Sequence, residues 1–194
     1  MTVQPAISGV KGFSVAGVAA GLKGSDVLDF ALLVSDRPCA AAGVFTSTLA
    51  KAAAGLLDRG TLDDHASAIR AVAINTKCAN ACPGEVGLAN ARQMAKLTAD
   101  ALKIAPEAVL VMSTGVIGTH LPMDKIARGV ELASGALGQD WAATAQAIMT
   151  TDTRPKAASI TVQTADGAFT IAGIAKGAGM IAPNMATMLG AVVT

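Results

Sequence analysis

Short apolar runs with strand character alternate with helical segments along this chain, but never in a strict strand–helix–strand rhythm. That irregularity constrains the fold most, because a doubly wound parallel sheet is built from regular strand–helix–strand units. The residues point instead to α+β layers. Phe13 to Gly21, Leu28 to Val34 and Ala40 to Phe45 read as strands separated by Gly, Asp and Pro. Ala71 to Ile74 and Ala108 to Met112 are further apolar runs bounded by polar or glycine turns. Ser159 to Gln163 and Phe169 to Ile174, joined by Ala165-Asp166-Gly167, read as a hairpin with Asp-Gly at its turn.

Three helices stand out. In the first, Val86, Ala89, Met94, Leu97, Ala101 and Ile104 recur at helical spacing until Pro106 stops it. The second starts at Leu121-Pro122-Met123-Asp124, with proline early in the helix, and carries Ile126, Val130 and Leu132. The third, Trp141 to Met149, ends before the polar step Thr150-Thr151-Asp152-Thr153. No repeat, low-complexity linker or composition break divides the chain, so residues 1–194 read as one domain or part of one.

Composition narrows the function classes. With 194 residues, 52% hydrophobic and 15% charged, the chain can bury a core. Its net charge is +1 with no block of like charges, which gives no footprint for a polyanion or a membrane surface. Mean hydropathy is +0.51, yet no run of about 18 apolar residues lacks charge or interrupting glycine, as a membrane span requires. Met1 to Lys11 shows no targeting pattern, so a cytoplasmic protein is expected. Four Phe, one Trp and no Tyr leave no aromatic platform for stacking on single-stranded nucleic acid. Cys39, Cys78 and Cys82 cannot all pair and lack zinc-knuckle spacing, so reduced thiols are expected. His65 and His120 have no acidic or cysteine cluster beside them and read as surface or loop residues.

Four segments could carry chemistry. Thr187 sits in Lys176-Gly-Ala-Gly-Met-Ile-Ala-Pro-Asn-Met-Ala186-Thr187-Met188-Leu189. Read locally, this is a glycine-rich turn entering a strand, Met188 to Val193. A threonine hydroxyl needs an adjacent base to be nucleophilic, and a freed α-amino group on Thr187 itself, with a pKa near 8, could serve. Met112-Ser113-Thr114-Gly115-Val116-Ile117-Gly118 follows an apolar strand. It reads either as a plain turn or as a pair of donors for a developing oxyanion; the Walker pattern is absent. Thr150-Thr151-Asp152-Thr153 is on its own a hydroxyl-rich helix end, and Lys176 a solvated lysine at a strand end.

Taken together, these segments resemble the ornithine acetyltransferase family, the bifunctional glutamate N-acetyltransferases, from Gly12 to Thr194. The resemblance implies stacked β-sheets flanked by helices, an α/β/β/α-type sandwich completed by a C-terminal chain. It implies self-cleavage between Ala186 and Thr187, with Thr187 becoming the nucleophile that takes acetyl from N-acetylornithine and passes it to glutamate. Residues 1–194 would be the α-chain portion of one catalytic domain, with the cleavage segment at 176–194. Thr114 and Gly115 match the family's oxyanion hole, and Thr150 (Thr151 as the neighbouring choice) and Lys176 its substrate contacts. No metal or organic cofactor is implied, although some members also accept acetyl-CoA. The implied partner is a β chain from the same precursor, in a heterotetramer of two α and two β chains, with no nucleic acid and no membrane. Asn75-Thr-Lys-Cys-Ala-Asn80-Ala-Cys-Pro-Gly resembles the family's asparagine-rich loop, departing at Thr76, Lys77 and Pro83. Phe45-Thr-Ser-Thr48 departs at Thr48. Two alternatives stand beside this reading: a related N-terminal-nucleophile amidohydrolase or aminopeptidase, and a noncatalytic ligand-binding subunit.

Overall fold

A computed structural model describes residues 3–4, 6–8, 10–82, 84–178 and 188–194. The strands are β1 (Val3–Gln4), β2 (Phe13–Val18), β3 (Phe30–Cys39), β4 (Ile69–Asn75), β5 (Val109–Ser113), β6 (Lys156–Thr164), β7 (Gly167–Lys176) and β8 (Leu189–Val193). The helices are α1 (Ala53–His65), α2 (Gly84–Leu102), α3 (Met123–Gly135) and α4 (Trp141–Ala147), with one 3₁₀ turn at Pro106–Ala108. Two four-stranded sheets form, in the orders β2-β3-β4-β5 and β1-β6-β7-β8. All pairings are antiparallel except β4 with β5, which α2 connects as a crossover.

The first sheet is covered on both faces, and β3 shows how. Phe30 and Leu32 enter one core with Met94 of α2 and Ile126 and Val130 of α3, while Ala31 and Leu33 enter a second. That second core also holds Ile174 and Ala172 of β7 and Trp141 and Ile148 around α4. A strand with both faces buried loses the polar alternation of a half-exposed one. The result is layered α/β/β, with α1 to α3 on the first sheet and the second sheet on its other side. No helix among the described residues covers the far face of the second sheet, where Phe169 and Val192 are 44% and 73% exposed. No described helix is long and apolar enough to cross a membrane.

Small residues set the spacing. At Gly17 in β2 a Cβ would stand 2.3 Å from the carbonyl oxygen of Ala143, so α4 rests directly on strand backbone. In α2 the buried positions are Gly87, Ala91, Met94, Ala95, Thr98 and Ala99. This corrects the expected face, since Val86, Ala89 and Ala101 are exposed: the helix brings its small side to the core. Leu132 of α3 is likewise 41% exposed rather than core-facing.

The hairpin of β6 and β7 forms as expected, with Thr164 opposite Gly167. The expected strand Ala40 to Phe45 does not. β3 instead runs on to Cys39, past a register shift between Val34 and Cys39 that accommodates Pro38, and the chain then leaves the sheet. Phe45 packs beneath the guanidinium of Arg59 on α1, 5.2 Å from its ring centre. Helix α1 was not legible in the sequence, because Gly55 and Gly60 interrupt it and its buried residues are only Ala53, Ala54 and Asp58.

Asp58 has an identifiable task. Strand β5 lies at the sheet edge, and the buried Asp58 carboxylate accepts the Val111 amide at 2.9 Å. Burial pushes this carboxyl up to about 7, against the opposing effect of the Val111 hydrogen bond. Because the folded value exceeds the unfolded one, the unfolded chain gives up its proton first as pH rises. We therefore predict that this residue costs stability progressively between about pH 4 and about pH 7. Asp58→Asn, which keeps the acceptor, should flatten that slope. Urea unfolding midpoints at about pH 5 and about pH 8 check this; parallel slopes in both proteins would contradict it.

Candidate active site

Parallel strands β4 and β5 end side by side, so the loops that follow them emerge together. They are zipped by backbone hydrogen bonds: Thr114 to Asn75 at 3.1 Å, Val116 to Lys77 and Ala79 to Val116 at 2.9 Å, and Gly118 to Ala81 at 3.0 Å. Asn75 is fully buried; its amide donates to the carbonyls of Thr76 and Cys78, and its Oδ1 accepts from Ser113 at 2.6 Å. Gly115 has φ +138°, and a Cβ there would lie 2.2 Å from the Lys77 carbonyl carbon, so both torsion and space require glycine. Left-handed torsions at Lys77, Asn80 and Cys82 bend the facing loop around it.

The second sheet delivers Lys176. Along β7, Ala172, Ile174 and Lys176 point to the same side, so the lysine follows two core residues into the seam between the sheets. It is 4% exposed, not solvated as a strand-end lysine would be, and its Nζ donates to Thr114 Oγ1 at 3.0 Å. Burial pushes the Lys176 ammonium down; the charge of Asp152 opposes this and that of Lys156 adds to it. Because Thr114 Oγ1 accepts here, its own proton remains available to donate.

The loop after α4 supplies the third wall. The Asp152 side chain is fully buried and binds Lys156 through Oδ1. The same oxygen accepts the Gly177 amide at 2.8 Å, and Oδ2 accepts the Thr150 amide at 3.3 Å. Burial alone would push this carboxyl up, but the Lys156 hydrogen bond, those two amides and the Lys156 charge together hold it down, at about 2. One carboxylate thus ties Thr150 to the residue after Lys176.

The structure therefore gathers Thr114, Gly115, Thr150 and Lys176 from separate elements into one hydrogen-bonded neighbourhood. Thr150 is half-buried and Thr151 exposed. Ala186 and Thr187 lie outside the described residues, as does Pro83. Thr48 is exposed in the segment leading to α1. Cys39, Cys78 and Cys82 are free thiols, and His65 and His120 are exposed. Among the described residues no group of three or more His, Cys, Asp or Glu could hold a metal ion. Sequence reasoning passed over Lys23, Asp29 and Lys156, which sit in ordinary turn or strand contexts with no local signal.

The ArgJ family model matches residues 14–194, nearly the whole chain. The chain belongs to the ArgJ family. Arginine biosynthesis bifunctional protein ArgJ of Symbiobacterium thermophilum is 50% identical over 186 residues, covering 94% of this chain and 46% of that protein. The protein of the same name from Thermotoga neapolitana is 49% identical, covering 95% and 46%. The chain thus spans about half the length of these curated relatives. Among solved structures, ornithine acetyltransferase of Mycobacterium tuberculosis, in complex with ornithine, superposes with a TM-score of 0.85 at 39% identity, covering 94% of this chain and 98% of that one. ArgJ of Bacillus halodurans gives 0.82 at 35%, covering 91% and 92%. The ArgJ matches agree with the layered α+β fold.

Asp152 yields a test of this wall. Its folded value lies below the unfolded one, so the stability it contributes is present above about pH 4 and is lost as pH falls toward about 2. Asp152→Asn should destabilise the neutral protein by roughly 1–3 kcal/mol, since it loses the ion pair and cannot satisfy the same donors. The gap from wild type should narrow in acid. Urea unfolding at about pH 7 and about pH 3 measures it, and a gap that is constant with pH would refute the assignment.

Proposed function

We propose that this chain is the N-terminal part of an acetyltransferase of arginine biosynthesis that moves acetyl from N-acetylornithine to glutamate through an acetyl-threonine intermediate. The supporting observation is the buried contact between Lys176 and Thr114, in a family whose relatives carry the names ArgJ and ornithine acetyltransferase. This bond joins Thr114 and Lys176, the residues that the sequence resemblance assigns to the oxyanion hole and to substrate contact.

In this reading the Thr187 hydroxyl attacks the Ala186 carbonyl, the acyl group shifts from nitrogen to oxygen, and water hydrolyses the resulting ester, leaving a carboxylate on Ala186 and a free α-amino group on Thr187. That amine, with a pKa near 8, takes the hydroxyl proton as Oγ1 attacks the acetyl carbonyl. The oxyanion receives hydrogen bonds from the Thr114 hydroxyl and the Gly115 amide. A hydroxyl already accepting from an ammonium is polarised and donates more strongly, which is what Lys176 adds at Thr114. The amide C–N bond then breaks, ornithine leaves with the proton, and an ester remains on Thr187. The amine of glutamate attacks that ester, its proton passes by way of the Thr187 α-amino group to the departing Oγ1, and N-acetylglutamate leaves with the threonine restored. Lys176 and Thr150 recognise the amino-acid portion, an ammonium suiting a carboxylate. Leu189, two residues after Thr187, pairs with Lys176 across β7 and β8, which supports bringing the nucleophile to this neighbourhood. The C-terminal chain of the same precursor completes the site, and two such αβ units assemble as a heterotetramer. Covalent catalysis and the oxyanion donors carry the reaction without a resident cofactor.

Two measurements test this. Thr187→Ala should abolish both self-cleavage, read by intact mass, and acetyl transfer, while Thr187→Ser should keep part of each because the hydroxyl survives. Substantial transfer by intact Thr187→Ala protein would end the assignment.

Thr114→Ala should lower kcat by roughly 100-fold or more with the fold preserved, as for loss of a single oxyanion donor. An unchanged turnover number would remove Thr114 from the mechanism and leave only the Gly115 amide.

A further inference from the structure

The hydrogen bonds around Thr114 close into a ring. The Thr114 amide reaches the Asn75 carbonyl at 3.1 Å. The next residue, Thr76, donates to the Asp29 carbonyl through its amide at 3.0 Å and its hydroxyl at 2.9 Å. The buried Asp29 carboxylate then accepts the amides of Ala20 at 2.6 Å and Lys23 at 2.9 Å, which holds the turn at 20–29. From that turn Lys23 Nζ reaches the carbonyl of its own loop at Leu28, 3.0 Å away, and the carbonyl of Met149, 2.7 Å away. Met149 precedes Thr150, whose amide binds Asp152, and Asp152 accepts the amide of Gly177. Gly177 follows Lys176, whose ammonium returns to Thr114.

Most links of this ring lie along a strand end or between loops that follow adjacent strands. The Lys23–Met149 bond is different: it spans 126 residues and fastens the turn of the first sheet to the loop entering the second. We propose that Lys23 is a positioning residue that fixes Thr150 and Asp152 relative to Thr114 and Lys176, and so sets the width of the substrate pocket. The geometry demands a long donor with more than one N–H, because two backbone carbonyls from different segments must be satisfied from one point. A charged donor makes such bonds stronger than neutral ones. Burial pushes the Lys23 ammonium down, Asp29 and Asp152 oppose this, and Lys176 adds to it, so its charge is felt by the same cluster of residues. Lys23 touches no reacting atom. Its effect passes through the loop at 149–152.

The kinetic consequence rests on the acetyl-transfer reading, whereas the structural one does not, and the experiment separates them. In the chain together with its partner chain, Lys23→Met keeps the aliphatic stem and removes both bonds. KM for the acetylated amino acid should rise roughly 10-fold with kcat within about 3-fold, the pattern of lost binding rather than lost chemistry. Lys23→Arg, which retains charge and donors, should recover most of it. Hydrogen exchange should quicken at the amides of Thr150 and Gly177 while those of β4 and β5 keep their protection. Unchanged KM with unchanged exchange at those two amides overturns the proposal, as does an equal loss of protection throughout the first sheet. If wild type transfers no acetyl, the functional reading falls and the exchange comparison alone decides the role of Lys23. Should Lys23→Met fail to fold, Lys23→Gln, with one donor group left, carries both readouts.

Discussion

A lysine ammonium that is almost fully buried between two sheets is tolerable only if its donors are used, and the surroundings of Lys176 are organised around that requirement. The strand alternation of β7 leaves no choice of direction, since the positions before it, Ala172 and Ile174, are core residues. The ammonium therefore meets the end of β5 in the facing sheet, where Thr114 offers a hydroxyl oxygen. Asp152 supplies a fixed negative charge nearby, and its own desolvation is offset by Lys156 and two amides. Removing Asp152 would take their shared acceptor from Lys156 and from the amides of Thr150 and Gly177, so these groups depend on one another.

Backbone rather than side chain does most of the positioning. The two loops beyond β4 and β5 are locked by four amide–carbonyl bonds, and glycine at 115 lets them approach to a distance no other residue allows. Two residues of the loop after β4, Thr76 and Lys77, play different parts in this arrangement. Thr76 has a structural use, bonding twice to the Asp29 carbonyl, whereas Lys77 is exposed with a left-handed backbone.

Much of this was legible in the sequence, for reasons that differ by element. The hairpin announced itself through Asp166-Gly167, α3 through Pro122, and the Thr114-Gly115 turn through its place after an apolar strand. The face of α2 was misjudged, because periodicity finds large apolar residues and this helix buries small ones. The Ala40 to Phe45 run has strand composition but no neighbour to pair with, and pairing is a tertiary fact. The burial of Lys176 was invisible locally, as it comes from the stacking of that strand end on the first sheet. Asp29 and Lys23 act through contacts with loops far along the chain, for which no local pattern exists.

The pairing of β7 with β8 bears on the molecularity of unfolding. Lys176 lies opposite Leu189, and β8 sends Leu189, Ala191 and Val193 into the second core, while the proposed cut falls between these strands in sequence. Five register pairs and that apolar face would hold β8 in place with the peptide link severed, so a cut there would leave the sheet's neighbours unchanged. What it would alter is the unfolded state, which becomes two molecules instead of one. Unfolding of each unit then releases two chains instead of one, and the apparent melting temperature depends more steeply on protein concentration than that of the uncut protein.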